Sequence, residues 1–375
     1  MEPILSQYSV EDSYLKFRLS GINVSLANAL RRIILSEVPT IVFRTTPHEK
    51  NLANIEINTT RMNNEIIKQR LSCIPIHITD TSFPIEDYII EIDKKNTTDI
   101  IEYITTEDFQ IKNIKTNTYV SKSERNKIFP PNSITLDYID FVRLRPQLTD
   151  EISGEHLKLS CKLDIGTAKE DGAFNVVSTC SYAAAPDQVA INSAWTKKLK
   201  ELKKDGLSKE EIEMAESDWR LLDAKRLTLN DTFDFIIESI GVFDNVSIVI
   251  KAIDVMINKL KLFINEIQTK EELVEKANTT IPNCYEIILK NEDYTLGKVL
   301  EYILYSKHFD RVSSLSDKSL TFCGFRKPHP HINVSIIRLG FMDDVDKSVV
   351  VSYMINSAND AIKVYEKILG YFQNE

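Results

Sequence analysis

Residues 25–34 and 295–304 carry one pattern twice, 270 positions apart. Ser25 or Thr295 is followed by Leu26 or Leu296, then by the very small Ala27 or Gly297, then by an apolar run at helical spacing that includes Leu30 and Ile33, or Leu300 and Ile303. A small hydroxylated residue ahead of such a run is a helix start, so both segments open a helix in the same way. The very small residue two places further on lets another backbone or helix approach closely. Two such helices in one polypeptide predict two related modules fused end to end and paired about a pseudo-symmetric seam.

The chain has 375 residues, more than one core usually organises, and two or three cores are expected. With 43% hydrophobic and 27% charged residues it has the composition of a globular protein. A formal net charge of -9 argues against the chain wrapping a polyanion by itself, although local basic patches remain compatible with it. Apolar stretches fall short of the roughly 20 residues of a membrane span. The start, Met1-Glu2-Pro3-Ile4, lacks a basic region followed by a long apolar core, so a chain neither secreted nor membrane-embedded is expected. Cys73, Cys161, Cys180, Cys284 and Cys323 form no CxxC pair, which predicts no zinc and reduced thiols in a cytosolic or nuclear compartment.

Alternation over residues 8–20 predicts a strand with Val10, Tyr14, Phe17 and Leu19 inward, turning at Gly21 and Asn23 into the first repeated helix. Pro39 ends that helix. Strands follow through Ile41 to Phe43 and Ile55 to Asn58, and then a short helix over 60–71. From about 82 the pattern becomes short strands cut by Asn, Asp, Pro and Gly, the sign of a β-rich domain inserted over 82–186. Residues 187–226 are dense in charge and carry Ser208 with Glu211, the spacing of a capping box, so a solvent-facing helical insertion is expected. Within it Lys197, Lys198, Lys200, Lys203 and Lys204 are interspersed with Glu201 and Asp205, which reads as a solvated helix face ahead of a nucleic-acid contact. A strand over 229–241 leads to a long helix with Val249, Ile253, Met256, Leu260, Phe263 and Ile267 on one stripe. The first module is thus 1–81 plus 227–268, followed by a linker over 269–284 and a second module over 285–375. That second module closes on a helix with Ala358, Ala361, Ile362, Tyr365, Ile368, Leu369 and Phe372 on one face. Both modules end in a long amphipathic helix, and mutual pairing explains this best.

Groups for catalysis are sparse. Two-metal catalysis needs clustered carboxylates holding two divalent ions. Asp137 with Asp140 reads as the wet face of a strand, and Asp343, Asp344 and Asp346 as an exposed turn, so neither is expected to be catalytic. His329-Pro330-His331 lacks a third ligand and reads as a fixed loop. Arg31 and Arg32 sit on an otherwise apolar helix, and burying such a helix requires partners for two guanidinium forks.

Residues 26–39, from Leu26 through Arg31-Arg32 to Pro39, resemble the α-subunit family of cellular RNA polymerases, most nearly the third-largest subunit of the eukaryotic nuclear enzyme. The resemblance continues through Asn58-Thr59-Thr60, residues 70–76, Leu144-Arg145-Pro146, Gly166-Thr167-Ala168-Lys169-Glu170 and Glu238-Ser239-Ile240-Gly241. Residues 291–297 and 325–330 resemble the eleventh subunit of the same enzyme, a separate chain in cells and fused here, as in large cytoplasmic DNA viruses, with which the Ile-, Asn- and Lys-rich composition agrees. The resemblance implies an α+β fold of two dimerisation modules, each an antiparallel sheet with packed helices, forming an intramolecular pseudo-dimer. It implies a non-catalytic assembly subunit of a multisubunit DNA-directed RNA polymerase, whose active site and metal ions belong to the largest subunits. The implied partners are those two largest subunits and a small subunit, with DNA and RNA reached only through the complex and no membrane. The implied place is the cytoplasm of an infected cell and the virion if viral, and otherwise the nucleus. The expected dimer interface comprises Leu26, Leu30, Ile33, Leu296, Leu300, Ile303, Ile362, Tyr365 and Leu369, and the expected inter-subunit contacts are Arg31, Arg32, Lys169 and Glu170. No cofactor is expected. Some nuclear relatives hold zinc in the inserted domain through a cysteine cluster, whereas only Cys161 and Cys180 stand there in this chain. Tyr294 and Lys298 depart from the small subunit's usual His and Asn. The rival reading is a free-standing dimerising adaptor of the same fold.

Overall fold

A computed structural model describes residues 1–373 except 12, 148, 150, 152 and 315. The chain divides into two compact units, one of residues 1–34, 179–238 and 245–375, the other of residues 35–178 and 239–244. In chain order the first unit begins with β1 (Ile4–Glu11), β2 (Tyr14–Ser20) and α1 (Val24–Ser36). The second unit holds β3 (Thr40–Val42), β4 (Ala53–Asn58), α2 (Asn64–Ser72), β5 (Tyr88–Lys95), β6 (Glu102–Thr105), β7 (Gln110–Asn113) and β8 (Thr118–Tyr119). It continues with α3 (Lys122–Ile128), β9 (Asp140–Leu144), β10 (His156–Lys162) and β11 (Asp164–Gly166). The chain then returns to the first unit with β12 (Val177–Pro186), α4 (Gln188–Lys204), α5 (Lys209–Leu221), β13 (Thr228–Ser239) and α6 (Asn245–Thr269). It ends with β14 (Val274–Lys276), β15 (Cys284–Lys290), α7 (Tyr294–Leu304), β16 (Leu320–Arg326), β17 (Val334–Phe341) and α8 (Lys347–Gln373).

The first unit holds two four-stranded sheets, ordered β1-β2-β13-β12 and β14-β15-β17-β16. The orders correspond strand for strand. In each, an edge strand flanks the strand that feeds the opening helix, α1 or α7. That strand pairs antiparallel with the one feeding the closing helix, α6 or α8. Buried and half-buried residues alternate along the feeding strands, with Leu15, Phe17 and Leu19 inward in β2 and Tyr285, Ile287 and Leu289 inward in β15. The closing helices are long because their apolar stripes keep helical period: α6 buries Val249, Ile253, Met256, Leu260, Phe263 and Ile267, as the spacing predicts.

Several expectations are corrected here. Residues 8–20 form not one strand but parts of a β1–β2 hairpin, in which Val10 is exposed and Tyr14 half-buried. Residues 269–284 are not a plain linker, because β14 lies within them and pairs with β15. β16 forms the far edge of the second sheet. Apart from these corrections, the charged segment forms a helical hairpin with a small core of its own, built on Ile191, Trp195, Trp219 and Ala224.

The second unit is built on a five-stranded sheet, β4-β10-β5-β7-β8, with β11–β3 and β6–β9 ladders beside it. Its core stacks Phe43 on Phe129 at 6.2 Å and sets Phe109 edge-on to Phe129 and Phe141 at 5.3 and 5.5 Å. The break expected near 82 is therefore displaced to residue 35, since β4 pairs with β10 and belongs to this sheet.

Candidate assembly interface

The two repeated helices begin with one device. The Asn23 side-chain oxygen accepts from the Ser25 N–H at 3.0 Å, and Asp293 Oδ1 accepts from the Thr295 N–H at 2.8 Å. The caps stand two residues upstream of the hydroxylated residues expected to start the helices, because a short Asn or Asp side chain reaches the backbone two positions on. Asn23 and Asp293 are themselves 270 positions apart. Carrying the repeat two residues further back finds both.

With capping left to Asp293 Oδ1, the Thr295 hydroxyl and Asp293 Oδ2 receive Arg32. The Arg32 guanidinium donates from Nε to Thr295 Oγ1 at 2.8 Å and from Nη2 to Asp293 Oδ2 at 2.8 Å. Lys259, on α6, pairs with the preceding residue, Glu292, at 2.9 Å. The turn that starts α7 thus presents two carboxylates to cations from α1 and α6. In the opposite direction the Tyr365 hydroxyl, buried on α8, donates to the Leu26 carbonyl of α1 at 3.1 Å. Phe372, at the end of the same helix, meets Phe17 of β2 edge-on at 5.1 Å. The Tyr371 hydroxyl donates to the Pro3 carbonyl at 3.1 Å, and Lys367 pairs with Glu2. The most extensive helix-to-helix contact is α6 against α8.

Leu26, Leu30, Ile33, Leu296, Leu300, Ile303 and Tyr365 are at most 1% exposed, and Ile362 is buried too. Leu369 departs from the expected stripe and is only half-buried. Gly297 carries the close approach foreseen for it, but the neighbour is a ring: a Cβ there would stand 2.0 Å from Phe325 Cε2. That ring lies 5.2 Å from Tyr294 and beneath the Lys298 ammonium, so both residues pack on it.

The expected inter-subunit residues already have partners in the chain. Arg31 donates from Nε and Nη2 to Asn28 Oδ1, one turn back on α1, at 3.1 and 2.8 Å. Arg32 is held by Asp293 and Thr295, a contact from the first repeat to the second within one polypeptide. Glu170 accepts from the buried Arg44 at 3.1 Å, and this hydrogen bond holds its carboxyl below the usual carboxylate range. Arg44 also pairs with Asp164, donates to the Ile165 carbonyl at 2.8 Å and lies over the Phe174 ring. Lys169 donates its backbone N–H to the Ser36 carbonyl at 2.8 Å, and its ammonium reaches Glu37 at 3.4 Å. Gly166 opens this loop because a Cβ there would stand 2.7 Å from the Phe174 ring. These partners fasten the loop after β11 to residues 36–44 of the same unit.

Among the described residues no group of three His, Cys, Asp or Glu is placed to hold a metal ion. Cys161 and Cys180 do not fit a zinc set, since burial pushes each thiol up to about 12 and Cys161 donates to the Lys162 carbonyl. His329 and His331 meet edge-on at 5.0 Å in an exposed loop. No helix among the described residues is long and apolar enough to cross a membrane.

Two sheets of one topology, each with an opening and a closing helix, define a helix-and-sheet scaffold. Residues 16–260 match the RNA polymerase Rpb3/Rpb11 dimerisation domain, and the chain belongs to that family. It is 25% identical over 301 residues to the human DNA-directed RNA polymerases I and III subunit RPAC1, covering 69% of this chain and 82% of that one. It is 43% identical over 74 residues to subunit 3B of DNA-directed RNA polymerases IV and V of Arabidopsis thaliana, a match spanning 20% of this chain and only 21% of the plant protein. Over 182 residues it is 26% identical to the DNA-directed RNA polymerase subunit Rpo3 of Methanosphaera stadtmanae, covering 47% of this chain and 59% of that one.

Proposed function

We propose that the chain is a non-catalytic assembly subunit of a multisubunit DNA-directed RNA polymerase. Its two sheet-and-helix modules pair within one polypeptide and form the platform on which the two largest subunits, and a small subunit, assemble. The family match over 16–260 carries this reading. The recurrence of one strand order in the two sheets supports the pairing. In this reading residues 285–375 stand for the small partner that cellular enzymes supply as a separate chain, a fusion of the kind found in large cytoplasmic DNA viruses. Leu26, Leu30, Ile33, Leu296, Leu300, Ile303, Ile362, Tyr365 and Leu369 belong to the internal seam, which Arg32 and Asp293 tie. The exposed parts of Lys169 and Glu170 face a larger subunit. Fusion favours the pair because a linked partner is present at an effective concentration that reaches about the millimolar range.

The test is affinity purification of the tagged chain from its native source, with subunit masses and metal-dependent RNA synthesis read on the eluate. Recovery with two chains well above about 100 kDa and template-dependent synthesis is expected. Recovery alone, or with small partners only, contradicts the assembly role and favours a free-standing adaptor.

A further inference from the structure

The hairpin of α4 and α5 segregates its charges instead of mixing them. α4 carries Lys197, Lys198, Lys200, Lys203 and Lys204 against Glu201, whereas α5 carries Glu210, Glu211, Glu213, Glu216 and Asp218 against Lys209 and Arg220. α4 buries Ile191 and Trp195. At 3.6 residues per turn, Lys197, Lys200, Lys203 and Lys204 fall within an arc of about 120° opposite that buried pair. Ser193 and Thr196 share the arc, while Glu201 lies on its flank and Asp205 caps the helix end. All four lysines are exposed, and among the described residues none of the four forms an ion pair, whereas Lys198, outside the arc, meets Asp223 at 3.8 Å. Lys203 and Lys204 also suit a helix C-terminus, but that does not account for Lys197 and Lys200.

We propose that this lysine arc of α4 binds the phosphate backbone of duplex DNA without reading its sequence. Four ammonium groups spread over about 10 Å of helix match a polyanion that presents one charge per roughly 1.7 Å of axis. Lysine is a flexible point charge, suited to phosphates met in any register; a site built for protein carboxylates would favour the arginine fork. Single strands are held largely by bases stacked on aromatic rings, and the arc has none, since Trp195 and Trp219 are turned into the hairpin core. On a chain of net charge -9 the arc is a local exception to the overall charge. The proposal goes beyond the assembly role and its readout does not depend on it.

The experiment is fluorescence anisotropy of the full chain with a labelled DNA duplex of about 25 base pairs, from 30 to 200 mM salt. The comparison is with the variant K197Q/K200Q/K203Q/K204Q, whose fold is checked through the emission of Trp195 and Trp219. Each phosphate neutralised contributes about -0.9 to the slope of log affinity against log salt, so a wild-type slope of about -3.6 for four lysines should fall toward zero in the variant, with at least about a tenfold loss of affinity at the lowest salt. Glu201→Gln, which removes the flanking carboxylate, should tighten binding severalfold. Equal affinity and slope for wild type and quadruple variant, including no binding by either at 30 mM, overturns the proposal. Tighter binding of single-stranded RNA of equal length, or displacement of the duplex by polyglutamate at equal charge, overturns it in favour of those ligands.

Discussion

Arg32 and Asp293 lie 261 positions apart in the chain and 2.8 Å apart in the fold. The same carboxylate caps α7 through its other oxygen, so one side chain both starts the second opening helix and anchors it to the first. Asp293→Asn keeps a capping oxygen and removes the charge, whereas Asp293→Ala removes both. The ion pair is partly exposed, with 35% and 23% of the two side chains accessible, and contributes up to about 1 kcal/mol. The cap contributes about 1 kcal/mol more. Chemical denaturation should therefore rank the variants wild type, Asp293→Asn, Asp293→Ala. A double-mutant cycle with Arg32→Ala should give a coupling of about 0.5–1 kcal/mol, and a coupling near zero would show that the pair ties nothing.

Gly297→Ala drives a methyl group against the Phe325 ring, 2.0 Å from Cε2. Overpacking of this kind costs about 1–3 kcal/mol. Adding Phe325→Leu frees the space and should restore part of the loss. A fully stable Gly297→Ala variant, measured by thermal or urea unfolding, would contradict the close approach.

Tyr365→Phe removes one buried hydroxyl and leaves the Leu26 carbonyl without the donor that reaches it from α8. The expected loss is about 1–2 kcal/mol with the side-chain volume kept. A neutral result would mean that the hydroxyl contributes nothing across the two helices.

His77 lines a cavity of about 420 Å³ with Ile78, Phe83, Tyr88 and Phe129, and burial lowers its pKa from the ordinary 6.5. A base whose folded pKa is depressed binds fewer protons folded than unfolded between the two values, so stability is complete above 6.5 and falls as pH drops through the folded value. Urea midpoints should decline from pH 6.5 toward 5, and His77→Gln should flatten that decline while leaving the carboxylate titration at lower pH. Identical profiles for the two proteins would remove His77 as the cause.

Long amphipathic elements were readable because their period is local. The stripes of α6 and α8 are complete in sequence, apart from Leu369 at the margin. β1 was not readable, because Ile4 and Val10 are exposed and the register shifts between Ser6 and Ser9, which breaks the alternation that marks a strand. The strand β14 has only three residues, too few for a period. The boundary expected near 82 does not hold because β4 joins its sheet by pairing with β10, about a hundred residues later, and no local pattern reports such a partner. The need of Arg32 for a partner followed from its helix, but Asp293 as that partner is a property of the fold.

Pairing of the two modules inside one chain is the central claim, and native mass measured across a wide concentration range, before and after cutting a protease site placed in residues 277–283, tests it most directly. The account predicts a single species of 43.0 kDa at every dilution, whose two fragments stay together one to one after the cut. A species of twice that mass, or fragments that separate at micromolar concentration, would contradict it.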